Sequence, residues 1–118
     1  MLKIPQHDGW QPFRCDVEPE RGVVRVVPHG ELDVATAPEV DRHLRELAES
    51  GFDNVVLDLS ELEFMDSTGL RLVLRADAAA RADGGTFTLI RGPAAVMRVF
   101  EIAGMLERVT FSPPERPA

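Results

Sequence analysis

Apolar and polar residues alternate through FRCDVE (13–18), the period of a half-exposed strand. Pro19, Glu20, Arg21 and Gly22 form a turn, and VVRVVPHG (23–30) resumes as a second strand, so the pair reads as a hairpin. Pro28 lacks an N–H, which predicts that it sits at a strand end or a sheet edge. The period then becomes helical. Thr36 and Glu39 have the spacing of a capping box, and Pro38 falls in the first turn, where its missing N–H costs nothing. Val40, Leu44, Leu47 and Ala48 share one face, and Gly51 supplies a left-handed stop.

NVVLDLS (54–60) is an almost unbroken apolar run, the pattern of a central strand covered by helices on both faces. A second helix is predicted from about Ser67 to Asp83, closed by Gly84 and Gly85, followed by the strand TFTLI (86–90). Gly92 and Pro93 open a third helix with Val96, Val99, Phe100 and Ala103 inward, Met97 at an interface, and Gly104 as its stop. ERVTF (107–111) reads as a last short strand. Residues 1–12, with Pro5, Gly9 and Pro12, read as a loosely held lead-in, and SPPERPA (112–118) as a tail. The order β-β-α-β-α-β-α-β predicts one α/β domain, a sandwich of a mixed, partly parallel sheet packed by helices.

Composition narrows the function. A 118-residue chain with 44% hydrophobic residues fits a single folded domain. No apolar run approaches the ~20 residues that span a bilayer, and no secretory leader is evident, which predicts a cytoplasmic protein without membrane partners. Net charge is −7 with scattered basic residues, which disfavours nucleic acid and suits a partner presenting Arg or Lys. Cys15 is the sole cysteine, so neither an internal disulfide nor a thiolate metal cluster is available.

The inventory also argues against catalysis. Lys3 is the only lysine and lies in the lead-in; His7, His29 and His43 lack ligand spacing; there is no tyrosine. Asp66-Ser67-Thr68-Gly69 looks superficially like the Asp-Ser/Thr-Gly loop of aspartic proteases, but carries an extra residue and runs into a helical pattern. No catalytic residue, metal or cofactor is expected.

That tetrapeptide, within ELEFMDSTGLRLVL (61–74), is the most informative stretch. A helix's first turn has unpartnered N–H groups and partial positive charge, so Asp66 or Ser67 can serve as N-cap. Gly69 removes bulk, leaving room for another backbone or an oxyanion. A hydroxyl there is equally suited to carry a phosphate, which adds about −1.5 to −2 charges that free N–H groups and the dipole tolerate. Beside Glu61, Glu63 and Asp66, such a charge would oppose a docked partner. Capping and switching remain compatible on these residues alone.

GELDVATAPEV (30–40), VVLDLSELEFMDSTGL (55–70) and PAAVMRVFEIAGM (93–105) resemble, in order and spacing, the successive signatures of the STAS domain of anti-sigma factor antagonists, over residues 13–111. The resemblance implies partner switching. The unmodified protein binds an anti-sigma factor that is also a serine kinase, freeing the sigma factor. Phosphorylation ends the interaction, and a serine phosphatase restores it. It implies Ser67 as phosphoacceptor, with Asp66, Thr68 and Gly69 shaping the recognition surface and Gly30, Glu31 and Asp33 extending it. Arg71 stands where sporulation-type antagonists often have glycine, and with Arg75 it adds positive charge along the helix; an arginine one turn from the phosphate would either soften the electrostatic effect or alter partner choice. An alternative within the family is a fixed structural subunit of a lipid-transport or stress-sensing complex.

Overall fold

The computed structural model describes residues 12–112. The expected lead-in and tail, apart from Pro12 and Ser112, lie outside these residues, as does most of GWQPF (9–13). The elements run β1 (Arg14–Glu20), β2 (Val23–Leu32), α1 (Ala37–Glu49), β3 (Asn54–Asp58), β4 (Leu62–Met65), α2 (Ser67–Ala82), β5 (Thr86–Ile90) and α3 (Ala94–Ala103), then a 3-10 turn at Leu106–Arg108. One five-stranded sheet has the order β1-β2-β3-β5, with β4 beside the distal part of β2. β1 and β2 form the antiparallel hairpin; every other pairing is parallel.

β2 organises the sheet. Its first half pairs with β3 through Val24–Val26 and its last residues pair with β4 through Gly30–Leu32, with a register shift at Gly30/Glu31. Pro28 therefore lies inside an interior strand, not at an edge. It is tolerated because it falls between the last residue paired to β3 and the first paired to β4, where the parallel ladder asks for no donor. Gly30, at φ +100°, takes the chain through the shift in a conformation that side-chain-bearing residues rarely adopt.

The core forms on one face of the sheet. Val26, Val55, Leu57, Phe87 and Leu89 join Val40 of α1, Leu72 and Val73 of α2, and Val96 and Phe100 of α3 in a single cluster. The other face of β3 carries Val56, half-buried, and Asp58, fully buried against Arg25, so the continuous apolar run does not mark a strand sandwiched between helices. Val56 made the alternation hard to see. Asp58 Oδ2 accepts from Arg25 Nε (3.1 Å) and Nη2 (2.8 Å), and its Oδ1 accepts from the Ser60 amide at 2.9 Å. Burial pulls the Arg25 pKa down, but the hydrogen bond and charge of Asp58, with Glu20 and Glu18, raise it on balance.

Further expectations change. The run before Met65 is the strand β4, and ERVTF becomes the 3-10 turn followed by an isolated parallel bridge between Phe111 and Leu89. Ser112, assigned to the tail, donates its amide to Leu89 O at 2.7 Å. In α3, Val96 and Phe100 are buried as expected, Met97 is buried rather than interfacial, and Ala103 is exposed. The stops at Gly51, Gly84 and Gly104 all have positive φ.

Candidate functional site

The entrance of α2 is built from three directions. Asp66 is the N-cap: its Oδ1 accepts from the amides of Thr68 (2.8 Å) and Gly69 (3.3 Å), and its carbonyl accepts from Leu70 N at 3.1 Å. Its own amide donates to Leu32 O at 3.2 Å, tying the helix entrance to the end of β2. The N–H groups of Thr68 and Gly69 are thus already engaged, so they are not free to receive an anion. The helix dipole and outward exposure remain the means of tolerating charge here.

Ser67 is the first helical residue and is exposed, and its hydroxyl makes no hydrogen bond among the described residues. Thr68 is half-buried. Gly69 and Gly30 are buried, so they shape the surface from beneath rather than touch what lies above it. A Cβ on Gly69 would lie 2.5 Å from Met65 Cγ and 3.1 Å from Leu32, so the missing side chain opens room toward the core, not toward a partner. Arg71, a turn along α2, is exposed, as is Arg75; neither forms an ion pair among the described residues.

The loop after β2 lies against this entrance. Asp33 Oδ1 accepts from the amides of Ala35 (3.0 Å) and Thr36 (3.2 Å). The Thr36 hydroxyl donates to Glu31 O at 2.7 Å and accepts from Asp33 N at 2.9 Å. Thr36 is the N-cap of α1 by position, yet its side chain makes no capping bond, so the expected capping box is absent. Its hydroxyl is committed to fixing the Glu31–Asp33 turn instead. Glu31 projects to solvent and Asp33 is half-buried.

Two residues not anticipated from sequence join this surface. Phe64, on β4, stands in register opposite Glu31 and keeps 45% of its surface exposed; Val34, beside Asp33, keeps 73%. Phe64 could be found only by knowing the register of Leu62–Met65 against β2: the pairing steps from Gly30–Leu62 to Glu31–Phe64, and this irregularity breaks strict alternation, so that Glu63 and Phe64 are exposed while Leu62 and Met65 pack inward. Glu61 and Glu63 are also exposed. The result is a serine at a helix start amid acidic and apolar side chains, without a group of three or more His, Cys, Asp or Glu placed to hold a metal among the described residues.

A mixed sheet with helices on one face and an exposed hydroxyl at a capped helix entrance defines a domain of the α/β class. Residues 14–110 match the family model described as Mlab, STAS domain, and the chain belongs to the STAS domain family. It is 31% identical over 100 residues to the anti-sigma-B factor antagonist of Bacillus subtilis, covering 85% of this chain and 91% of that protein. It is 32% identical over 76 residues to the anti-sigma-B factor antagonist of Staphylococcus aureus, covering 64% and 70%. The crystal structure of an anti-sigma factor antagonist from Mycobacterium paratuberculosis superposes with a TM-score of 0.75 at 25% identity, covering 87% of each chain. Unphosphorylated SpoIIAA, also an anti-sigma factor antagonist, shares the fold at a TM-score of 0.66 and 21% identity, over 88% of this chain and 90% of that one.

Proposed function

We propose that this chain is an anti-sigma factor antagonist that works by partner switching. In its unphosphorylated form it binds an anti-sigma factor with serine kinase activity and so frees a sigma factor. Phosphorylation of Ser67 ends the interaction, and a serine phosphatase reverses it. The observation that carries the reading is the division of labour at the α2 entrance. Asp66 supplies the cap, which leaves the Ser67 hydroxyl exposed and uncommitted. Support also comes from the two antagonists similar over most of their length, and from the SpoIIAA fold, known in phosphorylated as well as unphosphorylated form.

Docking in this reading uses Glu31, Asp33, Asp66, Ser67, Thr68 and Arg71, over the close-packed Gly30 and Gly69, with Val34 and Phe64 as apolar contacts. A partner of complementary chemistry presents basic side chains around an apolar socket. Ser67 faces the apolar part of that socket in this reading, so about two added negative charges would be desolvated there without a basic side chain to pair them, which raises the dissociation rate.

The test combines modification and binding. Incubation with an anti-sigma kinase from the same cell and ATP should place phosphate on Ser67, read by mass spectrometry. Ser67→Asp should bind the kinase at least about tenfold more weakly than Ser67→Ala, a gap of about 1.4 kcal/mol. Equal binding by the two variants refutes switching. The family model's description, Mlab, which the names of the antagonists do not share, favours a second reading: a fixed subunit of a lipid-transport or stress-sensing complex. Such a subunit would hold its partner with either side chain at position 67.

A further inference from the structure

At the opposite end of α2 from Ser67, a cavity of about 530 Å³ opens between the C-terminal halves of α1 and α2, above the starts of β3 and β5. Its size falls within the range of about 300–1,000 Å³ typical of small-molecule sites. The lining is mostly apolar: Leu44 and Ala48 on α1, Ala79 on α2, and the core residues Val55 and Phe87, with Phe52 as a half-exposed aromatic lip. The space exists because α2 carries alanine (Ala76, Ala79, Ala80) where it faces α1, and no side chain there is long enough to close the gap.

The polar groups of the cavity are segregated. Asp53 and Asp83 both line its lower end, where Thr86 N donates to Asp53 O at 2.8 Å and Gly85 N, two residues after Asp83, donates to Ala80 O at 2.9 Å. Neither carboxylate has an ion-pair partner among the described residues. The C-termini of both helices point toward this end, and their dipoles add negative potential. α1 has no basic residue in its last turn, and Arg81, the one in the last turn of α2, is engaged by Asp77 at 3.0 Å and by Arg108 O at 3.2 Å. At the upper end Arg45 is held by Asp41 at 2.8 Å, which leaves Arg75 as the cation of the lining without an ion pair among the described residues, roughly 12 Å along the helix from Asp83.

We propose that this cavity binds a small organic cation: an alkyl or aryl ammonium whose apolar body lies on the alanine-lined floor and whose charged group sits between Asp53, Asp83 and the face of Phe52. Two unpaired carboxylates, two helix C-termini and an aromatic lip select positive charge at the lower end. Arg75 repels the same charge from the upper end and so fixes the orientation. Binding here is separate from phosphorylation at Ser67 and does not depend on it.

Calorimetric titration of the full chain with octylammonium, octanoate and octanol tests the assignment. Octylammonium should bind saturably with a dissociation constant below about 1 mM, and octanoate at least about tenfold more weakly. Asp53→Asn with Asp83→Asn should abolish that preference. Ala79→Leu, which fills the floor, should weaken octylammonium about tenfold or more, and Ala48→Leu provides the same test from α1; thermal melting verifies that each variant is folded. No saturable octylammonium binding overturns the proposal, as does octanoate binding equally well, preference retained in the double variant, or affinity unchanged in folded filling variants. A dimer in sedimentation that Ala79→Leu dissociates would make a second copy the occupant, and would equally overturn it.

Discussion

Replacing Gly69 by alanine tests whether close packing beneath the α2 entrance holds the site in place. Alanine favours a helix over glycine by up to about 1 kcal/mol, and less in the first turn. Against this, the new methyl would sit 2.5 Å from Met65 Cγ and 3.1 Å from Leu32 Cγ and Cδ2, where carbon atoms normally rest about 3.5–4.0 Å apart. Met65 is 1% exposed and Leu32 is fully buried, so neither can move into solvent. Leu32 also accepts the Asp66 amide bond, so displacing it shifts the cap itself. Overpacking of this kind costs about 1–3 kcal/mol, which exceeds the propensity gain and leaves Gly69→Ala about 1–2 kcal/mol less stable. Urea denaturation followed by circular dichroism should show a lower midpoint with an unchanged slope. Met65→Ala alone should cost about 2–5 kcal/mol but make room for the methyl, so Gly69→Ala should become neutral or stabilising in that background. A coupling of about 1 kcal/mol or more is expected. Additive costs would refute the clash, and a more stable single variant would refute the packing account altogether.

Asp66→Ala should lower stability by about 1 kcal/mol by leaving the Thr68 and Gly69 amides uncapped, while Asp66→Asn should lose only a few tenths. Equal losses in thermal melting would show that charge, not capping, is what matters. For Cys15, burial first, then the charges of Glu39 and Asp16, push the thiol from 9.0 to about 12. Because the folded value is raised, the stabilisation is complete below the ordinary thiol pKa and is lost as pH rises toward 12. Iodoacetamide at about pH 8 should label native Cys15 roughly a thousandfold more slowly than the urea-unfolded chain; comparable rates would contradict the burial. Asp58→Ala should cost about 2–3 kcal/mol through lost charge-assisted hydrogen bonds, and Arg25→Ala about 3–5 kcal/mol, because the carboxylate left behind is buried whereas the arginine reaches water. The reverse order in denaturant titrations would refute this asymmetry.

Local chemistry made the helices and most strands readable. Helix stops at Gly51, Gly84 and Gly104 follow from residues that accept positive φ, and the strands Asn54–Asp58 and Thr86–Ile90 follow from dense β-branched and aromatic runs. What escaped depended on contacts distant in sequence. β4 has only four residues with Glu63 among them, and exists because the far end of β2 offers it an edge. Pro28 looked terminal because a proline is tolerated inside a sheet only where pairing changes partner, and no local signal announces such a change. The Thr36–Glu39 spacing fitted a capping box, but Asp33 closes its turn onto the amides of Ala35 and Thr36 and draws the Thr36 hydroxyl backward. At the site, the helix entrance with its Asp66 cap and the exposure of Ser67 were legible because both are local. Phe64 was not, since its outward orientation follows from β4, and the inward role of Gly69 required knowing where Met65 and Leu32 pack.

Within six residues the α2 entrance separates what holds the fold from what a second protein can touch. Asp66 bonds inward to Leu32 and along the helix to Thr68 and Gly69; Gly69 and Leu70 face the core; Ser67 and Arg71 face out. A phosphate on Ser67 would displace none of these bonds, and the positive end of the helix dipole would favour it by roughly 0.3–1 kcal/mol. Its cost would fall on whatever had docked against Glu31, Phe64 and Asp66, where negative charge is already present. A switch of this kind needs no conformational change in the domain that carries it. Its sensitivity is set by how completely the partner desolvates position 67, so residues around the serine govern partner choice more than the strength of the cap beneath it.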